Sequence, residues 1–371
     1  MPKFPIRKAL HRGREEGTLR ILSLGAGGFI GSHLAHHLVA RGHEVVGVDT
    51  HSDKLVELLD HPRFAFVEQD IRGRGFDLKR LVDDTDLVVD LIAYANPAIY
   101  LLQPLDVFRL NFVENMKIAE ACVTGGRRLV QFSSCEVYGK TVARAAPGRV
   151  TDPEDPKLAT FSEDETNLIL GPVARHRWIY ASAKQLLERV LHAYGLEGLL
   201  DYTIVRPFNF IGPRIDYLPS EVPGCPRVFS HFMEACLQGT EMKLVDGGHQ
   251  RRCYTDIEDA AACISLIVEN PGGVCSRQIF NVGSPHNEVS IRGLAALMRE
   301  IYATLAGREA RLPSIVDVPA DEFYGPGYDD SDRRIPDITK ARTLLGWEPR
   351  YDLRETLERA MRHYMDGNGR P

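Results

Sequence analysis

The sequence lacks any unbroken apolar run near the roughly 18 residues a membrane-spanning helix needs, so no span is expected. Its opening stretch, MPKFPIRKALHRGREEG, is basic and polar with no apolar core of the kind a secretory signal carries, and residues 1 to 18 read as a flexible basic tail. Paired cysteines are missing too. The seven present, Cys122, Cys135, Cys225, Cys236, Cys253, Cys263 and Cys275, form no C-x-x-C motif; odd in number and scattered, they read as reduced thiols of a cytoplasmic protein. Nor is there an excess of positive charge. Lys plus Arg is 45 against 51 for Asp plus Glu, a formal net charge of −6, which gives no general attraction to nucleic acid or anionic membrane. Any anion bound must be held by local groups.

Several chemical signatures are absent or broken. No G-x-S-x-G elbow supports acyl hydrolysis. Gly139-Lys140-Thr141 resembles the end of a phosphate loop, but Ser134 stands where that loop needs its first glycine. His33 and His37 share a helix face at metal-binding spacing, yet no glutamate accompanies them in the H-E-x-x-H order, and no metal is expected.

What is present fits a folded globular protein: 371 residues, 44% hydrophobic and 26% charged, enough for one large or two modest domains. From Leu19 to Asp49 an apolar strand, a glycine-rich turn, an amphipathic stretch and a second apolar strand spell a β-α-β unit. Further apolar strands are expected at 64–71, 86–95, 127–134 and 201–208, each separated by a stretch of helical length, and this alternation specifies an α/β fold with a doubly wound parallel sheet. A late strand at 278–284 is placed at its edge. The nucleotide-binding domain is assigned to 19–205 with a later contribution from about 250–284; residues 206–249 and 285–371, rich in proline and glycine clusters between helical segments, read as a smaller C-terminal substrate-binding domain closing over the carboxyl ends of the strands.

The turn between the first strand and helix reads Gly25-Ala-Gly-Gly28-Phe29-Ile30-Gly31, and Asp49 ends the second strand. Glycines permit the tight turn and a close backbone approach to a pyrophosphate, the helix N-terminus offers free N–H groups, and the acid accepts from the adenosine ribose. A carboxylate at Asp49 would repel a 2′-phosphate, so the cofactor expected is NAD. Asp70 and Ile71, after the third strand, are candidates for the adenine edge.

Tyr180 and Lys184 lie four apart in RWIYASAKQLLERVL and share one helix face. A cationic lysine beside a phenol lowers the tyrosine pKa toward a value useful for general base work. Ser133 and Ser134 end a strand upstream.

With these three features in this order the chain resembles the extended short-chain dehydrogenase/reductase superfamily, with its Rossmann-type sheet, from about Leu19 to Arg362. Within it the resemblance is to the UDP-glucuronate decarboxylase group, which includes plant UDP-apiose/UDP-xylose synthases and the decarboxylase domain of the bacterial aminoarabinose lipid A modification enzyme. It is carried by SSCEVYGK (133–140), RWIYASAKQ (177–185), RPFNFIGPR (206–214), KLVDGG (243–248) and GYDDSDRRIPD (327–337).

The resemblance implies C4 oxidation of UDP-glucuronate by bound NAD and then loss of CO2. It gives Tyr180 the C4 hydroxyl proton, Lys184 the cofactor ribose, and Ser134 a hydrogen bond to the same hydroxyl. Glu136 is implied in carboxylate placement or proton delivery, with Arg334 as its cation. Asn209, Arg227, Lys243, Arg252 and Tyr328 are implied for UDP. Cys135, beside Glu136, corresponds to a cysteine of the apiose-forming enzymes and reads either as a participant in proton transfer or ring opening or as a small buried filler. A second cysteine of those enzymes falls at Ala95 here, which puts apiose formation in doubt; UDP-xylose and/or UDP-apiose, or UDP-4-keto-pentose, stay open as products. A UDP-sugar 4-epimerase or 4,6-dehydratase and a non-catalytic nucleotide-binding regulator are the competing readings. A homodimer is expected by analogy with this fold class, through a four-helix contact that includes the Tyr180 helix.

Overall fold

The computed structural model describes residues 17–367 apart from 147, 221–226, 308–309 and 325–328. Most of the sequence's basic tail and Tyr328 therefore lie outside the described residues.

Seven strands form one parallel sheet: β1 (Arg20–Leu24), β2 (Glu44–Asp49), β3 (Phe64–Glu68), β4 (Leu87–Asp90), β5 (Arg128–Phe132), β6 (Tyr202–Pro207) and β7 (Gln278–Val282). Their order is β3-β2-β1-β4-β5-β6-β7, the doubly wound arrangement whose strand order reverses beside β1. The strands are nearly continuous apolar runs because helices cover both faces. Alternation then divides the core. Ile21, Val45, Val89 and Val205 pack on one face with α1 (Phe29–Ala40) and α5 (Ile257–Glu269), while Leu22, Val46, Val88 and Ile204 pack on the other with α2 (Asn115–Gly125) and α3 (Trp178–Leu196). The first cluster runs on without a break into α4 (Val228–Gln238), α6 (Ile291–Ala306) and α7 (Leu353–Met365) through Phe229, Phe232, Leu294, Met298, Leu357 and Met361.

Residues 278–282 do join the sheet edge, parallel to β6. Two expected strands end early. Asp90, fully buried, accepts from the Ile92 amide at 2.9 Å and from Gln131 Nε2 at 2.9 Å, which turns the chain out of the sheet and leaves 91–95 as a loop. The third strand stops at Glu68 because Asp70 turns back to cap the Arg72 amide at 2.8 Å.

The C-terminal part adds a small sheet in the order Glu288–Ser290, Arg251–Cys253, Arg333–Pro336, Thr160–Phe161. Its parallel register puts Arg252 directly beside Arg334. A second two-stranded sheet pairs Glu241–Val245 with Ser314–Val318. Among the described residues no helix is long and apolar enough to cross a membrane.

One buried ion pair fixes α3 on the sheet. Arg206 of β6 grips Glu188 of α3 through Nε at 3.0 Å and Nη2 at 2.6 Å, and donates to the Tyr138 hydroxyl at 2.8 Å. Removing the charge of Glu188 strands a buried guanidinium. Glu188→Gln is expected to lower stability by roughly 3 kcal/mol, read as a drop in the urea unfolding midpoint; an unchanged midpoint would show that the pair does not hold α3.

Candidate active site

A cleft of about 730 Å³ opens at the carboxyl ends of the strands and runs from the glycine turn to Arg334. At one end, Gly25 adopts φ +86°, and its amide donates to Val48 O at 2.9 Å, seating the turn on β2. A Cβ at Gly31 would lie 2.2 Å from Gly25 O, and one at Gly27 would lie 2.1 Å from His51 O. Gly28 is different: a Cβ there would meet nothing closer than Gly25 O at 3.4 Å, since it faces the cleft. Helix α1 starts at Phe29 without a side-chain cap on its first-turn amides, and Gly28, Phe29 and Ile30 line the cleft. Asp49 accepts from the Gly27 amide at 2.9 Å and from Thr50 N at 2.7 Å, tying the end of β2 to the turn. This cradle of bare backbone, open amides and a placed carboxylate fits a dinucleotide. Asp70 and Ile71 follow the end of β3 beside Asp49, whose carbonyl accepts from the Gln69 amide at 2.8 Å; Asp70 is engaged by Arg72 at 2.9 Å, and Ile71 packs against the core.

In the middle of the cleft β5 ends at Ser133 and Ser134. The Ser134 hydroxyl accepts from the Glu136 amide at 3.1 Å and is hydrogen-bonded to the phenol of Tyr180. Tyr180 stacks flat on Tyr100, ring centres 4.8 Å apart. Lys184 is buried below, donating to Asn115 Oδ1 at 3.1 Å and Phe132 O at 2.9 Å. Burial pulls the Lys184 ammonium down to about 8 against the attraction of buried Asp90. Burial also pushes the Tyr180 phenol above its ordinary value, opposed by the Ser134 hydrogen bond. The lowered tyrosine expected from the Tyr-x-x-x-Lys spacing is therefore not found. Desolvation of the phenol outweighs its neighbours.

Beyond Tyr180 lies a buried cluster of five charges. Glu136 accepts from Arg177 at 2.7 Å and from Arg334 at 2.6 Å. Asp330 lies 2.7 Å from Arg177 Nη2 and 2.9 Å from Arg252 Nη2. Burial alone would raise the Glu136 carboxyl, but Arg177 and Arg334 more than offset it and hold the group ionised, well below its usual range. An ionised Glu136 suits the placement role implied for it. Cys135 Sγ sits 3.7 Å from Arg334 Nη1, its thiol pushed up by burial, and both Cys135 and Ala95 line the cleft.

Asn209, Arg227 and Lys243 line the cleft on the C-terminal side. Asn209 sits at φ 41° and anchors to Cys253 O at 3.1 Å. Arg252 lines it as well, but its guanidinium is engaged by Asp330, Ser331 O and Arg251 O, which suits a structural brace better than a phosphate ligand. His33 and His37 clasp Glu258 of α5 at 3.1 and 2.9 Å, pinning α1 to its neighbour.

Sequence reasoning missed Arg177, Asp330, Asn115, Tyr100 and Gly27. Arg177 and Asp330 fall inside recognised motifs, RWIYASAKQ and GYDDSDRRIPD, as the charges not singled out. Asn115 had a signal: Asn111 and Asn115 are four apart on the buried face of the helical run 104–125, whose turn Arg109–Glu114 is π-wound, a feature common at functional sites.

Comparison with known proteins agrees with this geometry. Residues 21–283 match the model of the NAD dependent epimerase/dehydratase family. The chain is 42% identical over 356 residues to the UDP-D-apiose/UDP-D-xylose synthase of Oryza sativa subsp. japonica, covering 93% of this chain and 89% of that protein. It is equally identical to UDP-D-apiose/UDP-D-xylose synthase 1 of Arabidopsis thaliana, covering 93% and 91%. Among solved structures, the PbgP3 protein from Burkholderia pseudomallei is similar with a TM-score of 0.80 at 34% identity, over 95% of this chain and 98% of that one. Its turn, its Ser134, Tyr180 and Lys184, and these relatives place the chain in the NAD dependent epimerase/dehydratase family.

Proposed function

We propose that the protein is an NAD-dependent UDP-glucuronate decarboxylase. The observation that carries this reading is the arginine cluster around Glu136, placed in the same cleft as Tyr180 and the glycine turn. Arg177 and Arg334 both line the cleft, so the cluster presents guanidinium donors to an incoming carboxylate.

NAD held at the turn supplies the hydride acceptor for C4. Tyr180 takes the C4 hydroxyl proton, Ser134 orients that hydroxyl, and Lys184, braced by Asn115, presents its ammonium beneath Tyr180. The resulting C4 ketone stands β to the carboxylate. When the C5–C6 bond breaks, its electron pair passes into the ketone as an enolate and CO2 leaves; a proton from solvent then adds at C5 and completes the ketopentose. Arg177 and Arg334 hold the carboxylate in line for this step, and burial keeps water from screening them. Arg227 and Lys243 supply local positive charge for the diphosphate. Return of the hydride gives UDP-xylose and release of the ketone gives UDP-4-keto-pentose. Ala95, which lines the same cleft as Cys135, leaves one thiol where the resemblance implies two, which weighs against UDP-apiose as the main product. The six described cysteines are free and buried, which supports a reducing, cytoplasmic setting. Leu105 and Leu186, exposed on the helical run 104–125 and on α3, support a homodimer through those helices.

Incubation with NAD and UDP-glucuronate labelled at C6 tests the reading: labelled CO2 and a UDP-pentose are expected, and a UDP-hexuronate retaining all its label would overturn it in favour of an epimerase. Tyr180→Phe is expected to slow hydride transfer about 1,000-fold while leaving UDP-glucuronate affinity close to that of the wild type. Glu136→Gln should still form NADH but release CO2 about 100-fold more slowly, and undiminished CO2 release would count against the cluster. The cationic form of Lys184 holds the cofactor ribose, so the NAD dissociation constant should rise as pH passes upward through about 8 and be flat, though weaker, in Lys184→Met.

A further inference from the structure

The segment from Asp329 to Arg334 is stitched across the cleft residue by residue. Asp329 pairs with Lys140 at 2.6 Å and accepts from Trp178 Nε1 at 3.1 Å, Asp332 accepts from Thr141 at 3.3 Å, and Arg333 binds Glu288 at 2.6 Å. Those three face the scaffold. Asp330 alone of the segment's acids turns into the cleft, where it bridges Arg177 and Arg252 and lies 3.7 Å from Arg334. Among the described residues three guanidiniums thus face two carboxylates, Glu136 and Asp330, a sum of one net positive charge.

That balance matters for a decarboxylation. The carboxylate must bind, and then its charge must leave it as CO2 forms. A site with a larger positive excess grips the ionised acid harder in the ground state than in a transition state where the charge has moved to the C4 oxygen, and such binding raises the barrier. We propose, resting on the decarboxylase reading above, that Asp330 is a positioning and charge-setting residue that partly neutralises Arg177 and Arg252, so that the cluster binds the substrate carboxylate without trapping it. Neighbouring Cys135 and Tyr180 are both held protonated by burial and leave the sum unchanged. Asp330 itself stays ionised despite its burial because Arg177 and Arg252 flank it.

The test compares wild type, Asp330→Asn and Asp330→Glu. Affinity for UDP-glucuronate and for uncharged UDP-glucose is measured by calorimetry on NADH-loaded protein, and CO2 release and NADH formation are followed in single turnovers with NAD. Asp330→Asn is expected to bind UDP-glucuronate about tenfold more tightly with UDP-glucose unchanged, and to release CO2 about tenfold more slowly with NADH formation retained, the pattern of lost ground-state destabilisation. Asp330→Glu, which keeps the charge, should preserve the wild-type ratio between the two sugars, and it carries the test if the asparagine variant does not fold. Equal weakening of both sugars with loss of NADH formation would show a purely structural brace and overturn the proposal, as would an asparagine variant indistinguishable from wild type. Absence of CO2 from the wild type would instead sink the decarboxylase reading itself.

Discussion

A guanidinium with 1% of its surface exposed cannot remain uncompensated, and Arg334 is the largest fully buried side chain among the described residues. Much of the cleft follows from neutralising it. Glu136 must be an ionised carboxylate at 2.6 Å, and Glu136 in turn draws in Arg177 from the start of α3. Arg177 needs Asp330, and Asp330 needs Arg252, whose strand lies in register beside that of Arg334. The loop is closed: the small sheet, the segment from Asp329 to Arg334 and the helix bearing Tyr180 are locked together by these charges. Breaking one member leaves a buried charge, which costs far more than a surface pair returns.

The same economy of buried polar groups places the rest of the machinery. Lys184 reaches Phe132 O at the end of β5, where Ser133 and Ser134 begin, and its other partner Asn115 is brought inward just after a π-wound turn. The Arg206 and Glu188 pair holds the opposite flank of α3 on β6. Tyr180 therefore has little freedom: Tyr100 stacks on its ring and Ser134 binds its hydroxyl. That rigidity has a chemical cost, since the same burial pushes the phenol up. The site is built to hold the tyrosine in place, and the charge brought by cofactor and substrate must activate it.

The sheet was readable because both-face burial leaves apolar strands at regular spacing, and the glycine turn because Gly25 sits at φ +86° and a Cβ at Gly31 would lie 2.2 Å from Gly25 O. Tyr180, Lys184 and Ser134 were readable through spacing on a helix and at a strand end. What could not be read was pairing across sequence distance. Arg177 and Asp330 are ordinary surface-type charges by composition, and only the packing of residues 153 positions apart makes them one cluster. Strand ends were overshot at 91–95 because apolar residues that line a cleft look like residues that fill a core. Arg252 shows a related limit of sequence: nothing local distinguishes an arginine aimed at phosphate from one bound to Asp330 and backbone carbonyls.

The most direct test is a crystal structure of the protein with NADH and UDP-glucuronate. The account predicts the glucuronate carboxylate within hydrogen-bond reach of Arg177 or Arg334 while the C4 hydroxyl meets Tyr180 and Ser134. A sugar bound with its carboxylate away from the arginine cluster, and another ring carbon at Tyr180, would contradict it.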